Sequence, residues 1–180
     1  MNSELLTAKR ETLAPLEEVM AYQHPDVVPK FRESWNVSVE EAEEYFEEMK
    51  KWLWVSAYSI FEKDQGKEVP PLAIGHSMLL LDEMWHTFIL FTMDYRKFCF
   101  KYFGFYLNHG PTPPSEKESM AKEFEADPEA FKAKIEDDFR KQYSFIYDHL
   151  GEETLVRWYS DWTDRVTPEY LDEVHKPYWK

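Results

Sequence analysis

Apolar residues recur at Ala42, Tyr45, Phe46, Met49, Trp52, Leu53, Ala57 and Ile60. Steps of three and four predict a long amphipathic helix there. Ser38 and Glu41 stand before it at capping-box spacing, with Ser38 taking an orphan amide and Glu41 reaching back. From Trp52 to Phe61 the pattern turns apolar nearly all round, so the second half of this helix is expected to be deeply buried. A second stripe, from Phe131 through Ile135, Phe139, Tyr143 and Ile146 to Leu150, predicts another long helix. Asp127-Pro128 supplies its N-cap and first position, and Gly151 its C-cap. Between the two, Ser115 to Glu118 reads as a further capping box opening a short charged helix that ends near Ala126.

The flanks are weaker. Leu5, Leu6, Leu13, Leu16, Val19 and Met20 mark an apolar face that Pro15 interrupts, so residues 1–22 read as a weakly ordered lead-in. Pro25 and Pro29 frame a short helix carrying Val27, Val28 and Phe31, and His24 before it reads as a capping or surface residue. Leu155 to Trp162 predicts a short helix and Thr167-Pro168 starts a last one. The chain closes on the aromatic tail Pro177-Tyr178-Trp179.

The central stretch, Leu79 to His109, holds the densest run of aromatics. As one straight helix, Leu79 to Leu107 would be apolar on every side and about 40 Å long at about 1.5 Å per residue. A hairpin that turns at Phe91–Met93, with Thr92 as N-cap and Gly104 at the far end, satisfies the pattern better. Charges at Asp82, Glu83, Asp94, Arg96 and Lys97 exclude a transmembrane reading. These elements make an all-α protein: residues 1–180 form a single domain of about six to eight helices around a central aromatic-rich helical hairpin. Only 5 glycines and no Asn-Gly or Asp-Gly pair argue against a hairpin-rich β fold.

Composition narrows the function classes. The 180 residues carry 43% hydrophobic and 17% aromatic side chains, ample for one core. Thirty-five acids against 21 bases give a net charge of −14, which disfavours nucleic acid and anionic membranes and leaves a protein partner with a basic surface. One cysteine cannot form an internal disulfide, and residues 1–11 contain no apolar signal core, so a cytoplasmic location is expected.

Candidate chemistry concentrates on Asp82, His86, Cys99 and His109. Asp82 and His86 are i,i+4 neighbours. The hairpin turn would bring Cys99 back toward the level of His86, with His109 farther off. One reading is a transition-metal site using Asp82, His86 and Cys99 or His109. The other is structural: Asp82 orients a buried His86, and Cys99 is an inert core thiol.

Asp82-x-x-Trp85-His86, followed by Tyr95, Cys99, Gly104 and His109, resembles the D-x-x-W-H-x-H…Y…C…G…H signature of the glycine-rich domain-containing protein-like family. That resemblance implies a helical domain without an assigned biochemical activity. The chain departs from the pattern at Phe88, where a second histidine would stand, and this weighs against a shared metal site.

Three functional readings follow. The first is an acidic accessory protein that docks a partner through Glu43, Glu44, Glu47 and Glu48 or through Trp158, Trp162 and Trp179, with Asp82 and His86 as internal scaffolding and no cofactor. The second is a metal-binding or metalloenzyme-like domain centred on Asp82 and His86. The third is a small-molecule pocket between aromatic helices.

Overall fold

A computed structural model describes residues 13–176, and its architecture is all-α. The expected features at Leu5, Leu6 and Pro177-Tyr178-Trp179 lie outside the described residues. In chain order, α1 (Leu16–Met20) and α2 (Val27–Ser34) lead to the long α3 (Val39–Asp64). A 3₁₀ turn (His76–Met78) runs into α4 (Leu79–Leu90), and α5 (Thr92–Tyr102) follows directly. Then come α6 (Pro114–Ala126), α7 (Pro128–Val156), a π turn (Arg157–Asp161), α8 (Trp162–Arg165) and α9 (Pro168–Val174). An isolated bridge between Trp35 and His175 is the extended pairing among the described residues.

α3 is the spine. Ser38 caps it, its Oγ accepting from the Glu41 amide at 3.0 Å. Glu41 does not reach back as expected; its carboxylate accepts instead from the hydroxyls of Tyr45 and Tyr170. Tyr45, Phe46, Met49, Trp52, Leu53, Val55 and Ala57 are buried along α3, and α1, α2, α4 and α7 pack around it. Its acids are used internally. Glu48, 1% exposed, accepts from Arg157 and Lys51 at 2.8 Å each and from the Trp158 indole at 2.9 Å. Glu44 accepts from Trp162 Nε1 and Arg165, and Glu47 pairs with the buried Lys50 at 2.7 Å. Trp158 and Trp162 are 0% and 1% exposed. The expected docking surface is thereby corrected: of its members Glu43 is exposed and the Glu47 side chain 40% exposed, while Trp158, Trp162 and Glu48 belong to the core. A buried indole needs a partner for its N–H, and a glutamate one turn along α3 supplies it.

Lys50 closes the opposite side. Its ammonium donates to the carbonyls of Met20 and Tyr22 at 2.7 and 2.9 Å, tying the α1–α2 corner to α3. Burial pushes its pKa down, against the pull of Glu47. Asp127 caps α7 from the Ala130 amide at 3.0 Å, and Thr167 caps α9 from the Tyr170 amide at 3.2 Å. α6 has no such cap: Pro113 precedes it and Pro114 opens it, so Ser115 lies inside the first turn. Gly151 breaks α7 at φ 83°, a left-handed conformation that costs glycine nothing.

Candidate metal centre

The central hairpin forms as expected, with the break at Phe91 between α4 and α5. Thr92 is the first residue of α5 and makes no capping bond. Past α5, Gly104 adopts φ 80° and turns the chain into an extended segment, Phe105 to Pro113, that runs back along α4. This reversal carries His109 to His86, where a position farther off was expected. Their Nε2 atoms stand 2.8 Å apart, one donating and the other accepting. His109 Nε2 lies 3.3 Å from Asp82 Oδ1, and His86 Nε2 lies 3.8 Å from Asp82 Oδ2. Ligand-type atoms of all three residues fall within 4.8 Å of one another.

The pair expected to be buried is not. The His86 side chain is 47% exposed and that of Asp82 25%, because both line an open groove together with Trp52, Ser56 and Ile60 of α3. Asp82 Oδ1 is nonetheless occluded and makes no hydrogen bond, so a buried carboxylate oxygen is left aimed at the two imidazoles. An unsatisfied buried oxygen costs about 1–3 kcal/mol, and a cation among the three groups would relieve it.

Neighbouring groups hold the rings in place. The Glu83 carboxylate sits 3.4 Å from His86 Nδ1, close enough to pair with the second ring nitrogen of a metal-bound histidine. His109 stacks on Trp85 with ring centroids 3.9 Å apart and planes at 26°. The Trp85 indole donates to the Tyr95 hydroxyl at 3.0 Å, and that hydroxyl donates to the Leu107 carbonyl at 2.7 Å. One buried tyrosine thus fixes both the platform under His109 and the backbone two residues before it. Sequence reading passed over Glu83 and this Trp85–Tyr95 relay. The i,i+3 spacing of Glu83 and His86 was an available signal for the first, and nothing local marks the second.

Cys99 does not join the cluster. It is 0% exposed, packed against Tyr95 and Leu107, and burial pushes its thiol up to about 11. Phe88 also points away from the site, into an aromatic cluster with Tyr22, Tyr95 and Phe98. A histidine there would lie in the core, so its absence takes nothing from the centre.

The three groups open onto a groove of about 1410 Å³ between α4 and the α6–α7 hairpin. Two imidazoles and a carboxylate can hold a divalent ion and leave further coordination positions free. The 2.8 Å between the two Nε2 atoms is a hydrogen-bond distance, so the rings would give up that bond to ligate an ion.

A family model described as UCP032817-like matches residues 71–146. The match runs from the loop before α4 into α7, and so takes in all three candidate ligands and the α4 and α6–α7 sides of the groove, but not its α3 residues. It overturns the resemblance to the glycine-rich domain-containing protein-like family. Of the residues that carried that resemblance, Asp82, Trp85, His86, Tyr95 and His109 meet at the centre, whereas Cys99 lies in the core. No curated protein and no solved structure matches the chain.

Proposed function

We propose that this protein is a metal-binding domain in which Asp82, His86 and His109 form a two-histidine, one-carboxylate centre for a single divalent transition ion. The observation that supports it is the meeting of three ligand-type atoms from two separate segments around one occluded, unpartnered carboxylate oxygen. Chance surface pairs lack such support; here Glu83 sits beside one ring and the Trp85–Tyr95 relay positions the other. The ion's free positions face the groove, where a bound water or substrate oxygen could be polarised. Two imidazoles and one carboxylate are a ligand set for Fe(II) or Zn(II) among divalent ions. Cys99 takes no part, and its single thiol accords with a reducing, cytoplasmic setting.

Elemental analysis of the purified full chain, followed by equilibrium dialysis against Fe(II), Mn(II), Co(II) and Zn(II), tests the reading. About one ion per chain is expected. Less than a tenth of an ion, with no uptake on dialysis, would falsify it.

A further inference from the structure

The groove beside the centre has two facing apolar walls and too few atoms between them. Ile60, Ile89 and Leu90 line the body side, and Met120, Phe131 and Phe139 the hairpin side. Leu90 is 68% exposed and Met120 41%, and α6 buries none of its residues. Apolar faces held open to water in this way mark a binding surface. At about 1410 Å³ the groove exceeds the about 300–1,000 Å³ typical of small-molecule pockets. A volume above that range suits a segment of a polymer.

Charge selects the polymer. Outside the metal centre, Glu116, Glu123 and Asp138 line the groove against one ammonium, Lys134, a formal −2. Lys134 is itself paired with Glu123 at 3.0 Å. An anionic strand or acyl carboxylate would meet acids and no free lining cation, whereas lysine or arginine would find partners along the α6–α7 side. We propose that the groove takes an extended segment of a partner protein in which apolar side chains alternate with lysine or arginine. Alternate residues of an extended chain point to opposite sides, so one set faces Ile60, Ile89 and Leu90 while the other meets the acids of the α6–α7 side. The segment passes the metal centre, and the expectation that one of its backbone carbonyls reaches the ion rests on the metal reading above.

Fluorescence anisotropy of a labelled dodecapeptide alternating leucine and lysine, titrated with the full chain, tests this. Binding at least 10-fold tighter than to the leucine–glutamate and the serine–lysine counterparts is expected. M120Q changes an exposed residue of α6 without altering net charge and should weaken binding at least 5-fold. E43Q lies on an acid outside the groove and should leave it within 2-fold. Equal binding of the serine–lysine peptide reduces the effect to bulk charge and overturns the proposal, as does an unaffected M120Q. A dimer of the chain that excludes the peptide gives the groove to a second copy and likewise overturns it. The two readings separate cleanly. A chain that binds one ion but no peptide retires the groove proposal alone, and one that binds peptide but no ion retires the metal reading alone.

Discussion

At the residue scale, the decisive placement is that of His109 against His86 and Asp82. Because His86 is half exposed and its ring touches other exposed groups, its removal opens no core cavity. H86A should therefore lose metal binding while costing less than about 1 kcal/mol in urea unfolding, in the range of surface substitutions. A loss of several kcal/mol would return His86 to a scaffolding role. Tyr95 behaves oppositely. Y95F leaves the Trp85 indole and the Leu107 carbonyl without their buried partner, for about 1–3 kcal/mol of stability. It should also weaken metal binding about 10-fold, the scale of outer-shell changes at metal sites, since His109 rests on that relay. Unchanged affinity in a folded Y95F chain would show that the relay does not position the ring.

At the element scale, the long helices were legible because apolar spacing and caps agree with one another. Ser38, Asp127 and Thr167 each cap the helix their position announces. Ser115 failed because two prolines set the start of α6 one residue earlier and no side chain was needed. Gly151 was legible as a helix stop, and its φ of 83° with open space around it gives a further prediction. G151A should cost about 1–3 kcal/mol through backbone conformation alone, measured by thermal unfolding. An unchanged melting temperature would mean that the α7 break does not need glycine. The site was half legible. Helical spacing joined Asp82 to His86, but His109 arrives through a reversal after Gly104 that no periodicity encodes. Cys99 was drawn in by its type and spacing, although its aromatic neighbours already pointed to the core. The acidic face of α3 misled for a related reason: composition cannot tell that Glu44 and Glu48 receive arginines and indoles from more than 100 residues away.

At the scale of the whole molecule, the aromatic core encloses groups whose ionisation the fold opposes. Burial holds the Cys99 thiol up to about 11 and the Tyr22 hydroxyl up to about 12. A raised native pKa means that the folded chain keeps a proton the unfolded chain gives up. The unfolded state thus binds fewer protons, and stability falls as pH rises. For Cys99 this contribution is complete below the ordinary thiol range and is lost between about pH 8.5 and pH 11. Denaturant midpoints measured from pH 7 to pH 11 should decline across that window, less so in C99A. Iodoacetamide at pH 8 should leave the native thiol unmodified and alkylate it only after unfolding. Rapid labelling of the native chain would place Cys99 at the surface. Among the described residues no helix is long and apolar enough to cross a membrane.

The central claim is that Asp82, His86 and His109 bind one ion together while Cys99 does not. Calorimetric titration of the chelator-treated full chain with Co(II) tests it most directly. Wild type and C99A should each take up one equivalent with similar affinity, and H86A, H109A and D82A should each weaken binding by at least 100-fold while remaining folded. Equal affinity across all five chains, or a loss confined to C99A, would contradict the account.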